Sequence, residues 1–280
     1  MSGDGTSFEA RIVLRPRTLD ETMDLVLAYI RLYHRDLRWV AVVAVLAATL
    51  PTLAVWILSG QDARYGAWAL VFFTGIAERV VTVFAGRHLF NNPISVWGAW
   101  RQVLRRLPFN LIVLFGVYLP ILMMVSGVED DDAWLGGGIV LGVFWPLLLA
   151  SHAHLSEVAH LEHLSPGRAA QRARALVSYR FGRALGLLLT SALVRFLFAI
   201  GTYSAGAFVV AAVLQLQGAA TLIAVPLAIL GLAASGPFMT LVRFFDYIDA
   251  RTRREGWDIQ VRFNAIAQRE RQERARSLAA

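Results

Sequence analysis

Six apolar stretches run through the chain, and they constrain its fold more than any other feature. They extend from Trp39 to about Leu58, Tyr65 to Ala85, Pro108 to Val125, Trp134 to about Ala150, Leu185 to about Leu214, and Ala219 to about Phe245. A helix needs about 20 residues to cross a hydrocarbon core of about 30 Å, and there every backbone N–H and C=O must find a partner within the protein. Each stretch is long enough; the fourth is the shortest, though it extends toward Leu155, and the fifth is long enough to tilt strongly. The pattern predicts an all-α, polytopic integral membrane protein with six transmembrane helices. Composition agrees, since 57% of the 280 residues are hydrophobic and 17% charged, with a mean hydropathy of +0.54. Disorder, a collagen-like repeat and a disulfide-stapled secreted module are excluded by these values. With no cysteine, thiolate metal ligands and a cysteine nucleophile are excluded too.

The charge pattern supplies the orientation. All 27 basic residues are arginine, against 20 acids, giving a net charge of +7. A balance this basic suits either nucleic acid or an anionic membrane surface. Placement decides between them, because the arginines lie between apolar runs rather than in one basic domain. The N-terminal arm carries Arg11, Arg15, Arg17, Arg31, Arg35 and Arg38; the second connection Arg87, Arg101, Arg105 and Arg106; the fourth Arg168, Arg172, Arg174, Arg180 and Arg183. The tail adds eight more from Arg251 to Arg276. The alternate loops hold only Arg64, together with Asp62 and the acidic run Glu129 to Asp132. Cytoplasmic loops retain arginine during insertion, so both termini are expected in the cytoplasm, in agreement with an even number of spans. The first apolar run begins behind a long polar arm, which argues for a true span over a cleavable signal peptide.

Each pair of spans is preceded by a predicted amphipathic helix on the cytoplasmic side. In the first, Thr18 and Glu21 have capping-box spacing, and Leu19, Met23, Val26, Ile30, Tyr33 and Leu37 form a stripe. In the second, Asn92 and Pro93 mark the start, and Ile94, Trp97, Trp100, Leu104 and Leu107 form the stripe. In the third, Ser165 and Pro166 open a helix with Ala169, Ala173, Leu176, Val177 and Phe181 inward and Arg168, Gln171, Arg172 and Arg174 outward. The unit of helix plus hairpin recurs three times. The expected organisation is a cytoplasmic arm over 1–36, a membrane domain over 37–247 and a basic cytoplasmic tail over 248–280. The amphipathic helices serve either as a surface for anionic lipid or a partner protein, or as a collar packed under the bundle.

The run Leu14-Arg15-Pro16-Arg17-Thr18-Leu19-Asp20-Glu21, followed by Tyr29 to Tyr33, resembles the start of bacterial proteins carrying the membrane domain associated with glycerophosphoryl diester phosphodiesterases. Later blocks are similar as well: Pro93 to Val96 continuing to Arg105-Arg106-Leu107-Pro108, and Glu162 to Ser165 continuing to Ala175-Leu176-Val177 and Phe181-Gly182-Arg183. The resemblance implies a six-helix bacterial membrane protein of poorly defined role. It carries over no phosphodiesterase residue, because the catalytic domain that gives the family its name is a separate soluble barrel with paired carboxylates and a metal, and no stretch here is left to form one.

Among residues able to do chemistry, Glu78, Arg79 and Arg195 stand out as ionised groups inside apolar runs. Such groups cost several kcal/mol unless paired or wetted. At ~1.5 Å per residue, Glu78 lies about 13 Å and Arg195 about 15 Å from the cytoplasmic ends of their spans. A Glu78–Arg195 pair is allowed by that depth, either as a lock between spans or as part of a polar path. The segment His152 to His163 holds four of the six histidines. On a continuous helix Glu157, His160 and His163 would share one sector, a weak zinc signal without HExxH order. The acidic run lacks the spacing of a calcium loop. Gly138/Gly142 and Gly182/Gly186 have the spacing of close helix contacts. Pro51, Pro120, Pro146, Pro226 and Gly236-Pro237 are expected to kink their helices, and Ser235-Gly236-Pro237 to break the sixth.

No P-loop, dinucleotide-binding pattern or serine nucleophile elbow occurs. The sequence therefore points first to a non-enzymatic scaffold or accessory subunit, with no cofactor and no catalytic or metal residue assigned. Expected partners are the lipid bilayer, anionic phospholipids and a membrane or cytoplasmic protein, and not nucleic acid. A transporter or permease-like protein with a midplane polar site is the second reading, and a membrane-edge metalloenzyme the third. Exclusive arginine usage and abundant alanine and leucine suggest a high-GC genome, hence a bacterial cytoplasmic membrane.

Overall fold

A computed structural model describes residues 17–90, 92–116, 145–215 and 220–256. Among these residues every regular element is helical. In chain order they are α1 (Leu19–Leu58), α2 (Ala63–Leu89), α3 (Val96–Arg105), α4 (Leu107–Gly116), α5 (Trp145–Ser151), α6 (Leu155–Leu161), α7 (Pro166–Val177), α8 (Phe181–Phe208, continued by a π-helical turn Val209–Val213) and α9 (Ala220–Glu255). Four helices are long and apolar enough to cross a membrane: α1, α2, α8 with its π turn, and α9. The expected third and fourth spans are described only at one end each, as α4 and α5. Pro120, the acidic run and Gly138/Gly142 lie outside the described residues.

Local chemistry explains where these helices begin. The Thr18 side chain accepts from the Glu21 N–H while the Glu21 carboxylate accepts from the Thr18 N–H at 2.9 Å, the reciprocal capping box that the spacing predicts. The first amphipathic helix and the first span form one 40-residue helix, interrupted at Tyr33, where the backbone leaves helical values (φ −112°, ψ 24°). Position 36 is thus no break in the chain. A left-handed turn at Gly60 and Gln61 reverses direction, and Asp62 caps α2 by accepting from the Arg64 N–H at 2.7 Å.

Two of the expected amphipathic helices differ in detail. α3 starts at Val96, not Pro93, because Ser95 is the residue whose hydroxyl takes the Gly98 N–H, at 3.0 Å. Its inward positions are Ala99 and Val103, both fully buried, whereas Trp97 and Leu104 of the predicted stripe are exposed. α7 begins at Pro166 and buries Ala169, Ala173, Leu176 and Val177 as its stripe predicts. Phe181, assigned to the same stripe, instead opens α8 and is exposed. α3 and α4 meet at Arg106, the single non-helical residue between them, and the Asn110 amide returns to bond the Val103 carbonyl at 3.1 Å.

One hydrophobic cluster joins α1, α2, α3, α4, α6, α7, α8 and α9. α9 is central, packing along α8 and against α1 and α2. α8 and α9 approach closely at Gly231, where a Cβ would stand 2.6 Å from the Phe198 carbonyl oxygen. Among the described residues nothing approaches Gly182 or Gly186 within 4 Å of an added Cβ, so no close GxxxG contact is made there with a described helix. α9 also runs unbroken through Ser235-Gly236-Pro237, and α1 through Pro51. Ser235 is fully buried there, and its hydroxyl donates to the Leu232 carbonyl at 2.7 Å. Leu189, Leu193, Phe196, Leu197 and Ile200 leave the outer surface of α8 apolar, a surface that hydrocarbon solvates and water does not.

Candidate polar site in the helix bundle

Glu78 lies on α2 facing α8 and α9. Its Oε1 accepts from the Arg195 guanidinium, and its Oε2 from Arg243 Nη2 at 3.4 Å. Arg243 Nε donates to Glu157 Oε1 at 2.6 Å, and Glu157 is fully buried. Arg195, Glu78, Arg243 and Glu157 thus form one chain of alternating charge from α8 through α2 and α9 to α6. Two carboxylates and two guanidinium groups sum to zero, which is the condition under which ions are tolerated in a medium of low dielectric. The structure brings Glu78 and Arg195 together. It turns Arg79 elsewhere, with Nη1 donating to the Gly75 carbonyl at 3.0 Å.

Arg243 and Glu157 were missed as members of this chain. Both leave a trace in the sequence: Arg243 sits among Val242, Phe244 and Phe245, and Glu157 among Leu155, Val158 and Ala159. An ionised residue among apolar neighbours announces a partner, but which partner is a matter of helix packing. Gly236 matters for the same reason, because a Cβ there would stand 3.3 Å from Glu78 Oε1. Beside Glu78, residues including Ala44, Ala48, Thr74, Ala233 and Pro237 leave a cavity of about 10 Å³. That is about the space one water needs.

A second ionic layer lies at the end of the bundle that holds the arginine-rich connections. Asp249 accepts the Arg17 N–H at 2.8 Å and Arg180 Nη1 at 2.6 Å, while Asp246 accepts Arg183 Nε at 2.5 Å and lies 3.3 Å from His154 Nε2. Arg183 and Arg253 both donate to the Arg17 carbonyl, at 2.5 and 2.8 Å. The start of the described chain is thereby fastened to α8 and α9. Further along α9, Glu162 accepts from the Tyr247 hydroxyl at 2.8 Å and from Arg172 at 3.1 Å, and Arg172 also binds Glu255. Tyr29 bonds His88, whose Nε2 stands 3.2 Å from Asp36.

The histidine segment does not assemble a metal site. Glu157, His160 and His163 do not share one continuous helix, because α6 covers only Leu155–Leu161; His152 and His154 lie in the turn before it, and His163 beyond it has φ +56°. Glu157 is engaged by Arg243, and no group of three or more His, Asp or Glu among the described residues converges on one point. His160 is buried against Phe109, with Nδ1 2.9 Å from the Ser156 carbonyl. Burial above all, helped by the charges of Arg79 and Arg106, lowers its pKa to about 4 and keeps it neutral. Nitrogen without charge, in a dry setting, makes it a packing residue.

No protein-family model, curated protein or solved structure matches the chain.

Proposed function

We propose that the chain is a non-enzymatic integral membrane protein acting as a scaffold or accessory subunit. In this reading it has six transmembrane helices and three cytoplasmic amphipathic helices, lies in a bacterial cytoplasmic membrane with both termini inside, and belongs with the proteins carrying the phosphodiesterase-associated membrane domain. The observation that carries it is the state of Glu78: both carboxylate oxygens are held by arginines from two other helices, beside space for about one water. A group so engaged fastens helices and leaves no room for a substrate. Partners are the bilayer, anionic phospholipid and a membrane or cytoplasmic protein; nucleic acid is not among them.

The alternative is a transporter or permease-like protein with a midplane polar site at Glu78, Arg79 and Arg195. It is favoured by one feature, the cavity between Glu78 and the Gly236-Pro237 segment, since proline leaves a carbonyl one turn back without its helical donor. Proteoliposomes carrying an internal pH-sensitive dye separate the two readings. The scaffold predicts proton leakage no greater than in protein-free vesicles, before and after Glu78→Gln; a flux that this substitution abolishes establishes the transporter. Affinity capture from native membranes should also recover a stoichiometric partner protein, and recovery of the chain alone would overturn the scaffold.

A further inference from the structure

α3 presents apolar and basic residues together on its exposed face. At 100° per residue, Trp97, Arg101, Leu104 and Arg105 fall within a sector of about 100°. All four are exposed, Trp97 by 71% and Leu104 by 45%. The helix cannot rotate to hide them, because Ala99 and Val103 on the other side are fully buried in the core. An indole and a leucine exposed beside two guanidinium groups are poorly placed in water and well placed at the level of lipid headgroups.

The position of α3 in the chain puts it at that level. It ends at Arg106, where the apolar α4 begins, and it follows the exposed Arg87 in the last turn of α2. Trp39, the first residue of the first apolar run, is likewise exposed, with the Arg38 guanidinium 5.5 Å from its ring. Charge identifies the occupant. Between Glu78 and Glu129 the sequence contains no acidic residue but has Arg79, Arg87, Arg101, Arg105 and Arg106. Counter-charge for this face must come from outside the segment.

Resting on the integral-membrane reading above, we propose that the outer face of α3 binds anionic phospholipid headgroups. Trp97 and Leu104 enter the boundary with the acyl chains, and Arg101 and Arg105 take lipid phosphate, which the guanidinium fork matches in geometry.

The chain has no cysteine, so a single introduced one carries an environment-sensitive fluorophore without background. Full-length Leu104→Cys, labelled and reconstituted in nanodiscs of phosphatidylglycerol and phosphatidylcholine, is expected to show apolar emission and quenching by nitroxide-labelled phosphatidylglycerol. Adding Arg101→Gln and Arg105→Gln should lower the preference for the anionic spin-labelled lipid roughly fivefold per arginine. Iodide quenching of the label both in these nanodiscs and in nanodiscs of phosphatidylcholine alone overturns the proposal, as does lipid quenching indifferent to phosphatidylglycerol or to the two arginines. A label shielded from both quenchers in native membranes identifies a protein occupant and also overturns it. Leu193→Cys on the outer surface of α8 is the control: if its label is not lipid-quenched in either composition, the integral-membrane reading itself fails.

Discussion

Glu157 and His160 show how much one buried side chain can carry here. Glu157→Gln leaves Arg243 facing an amide in a buried setting. Breaking a buried pair from one side costs about 3–5 kcal/mol. Thermal unfolding in detergent should show that loss, and an unchanged midpoint would mean that Glu78 alone suffices as the counter-charge of Arg243. His160 adds a dependence on pH. Its pKa of about 4 lies below the ordinary 6.5, so between these values the unfolded chain holds the proton and the folded one does not. The stabilisation is complete above about pH 6.5 and is lost as pH falls toward 4, by about 3 kcal/mol at most. His160→Leu should flatten the pH–stability curve over that window; an unaltered slope would place the titration on another group.

At the scale of elements, the glycines of α8 and α9 behave differently from what their spacing suggests. Gly231 faces the Phe198 backbone, which cannot swing away, whereas Gly186 faces open space. Gly231→Ala should therefore destabilise by about 1–3 kcal/mol, and Gly186→Ala should be neutral or stabilise by about 0.5–1 kcal/mol. Equal effects in a melting series would show that the α8–α9 contact is looser than described. At α3, Ser95→Ala removes the hydroxyl that holds the Gly98 N–H, at a cost of about 1 kcal/mol. The Ser95 cap and the Thr18 capping box rest on the same chemistry, yet only the second was placed correctly from sequence. Thr18 has a glutamate at the reciprocal position, while Asn92-Pro93 offered an equally good local start three residues before the true one. Local signals rank candidate caps; packing of Ala99 and Val103 against the core chooses between them.

For the molecule as a whole, the arginine asymmetry makes a topological prediction. With single cysteines in the otherwise cysteine-free chain, Gln61→Cys in the turn between α1 and α2 should react with an impermeant reagent added outside intact cells. Gln171→Cys on the exposed side of α7 should react only after permeabilisation. The reverse pattern would invert the orientation and remove the cytoplasmic collar. The same scale explains why α9 outweighs the other helices. It carries Arg243, Asp246, Tyr247, Asp249, Arg251 and Arg253, whose partners come from α2, from α6 and the residues flanking it, from the start of α8 and from Arg17 ahead of α1.

Hydropathy and capping chemistry act over one or two helical turns, so the linear sequence by itself determined that the chain is helical and rich in spans. It also determined that Thr18 caps the start of α1, that α7 starts at Pro166, and that Glu78 and Arg195 need partners at depth. Only the tertiary structure decided that Arg243 and Glu157 complete their chain, that Trp97 points outward, and that the histidines of the α6 segment do not converge. Partner choice and helix rotation depend on the shapes of several helices meeting at once, and a periodicity measured along one helix contains no information about the others.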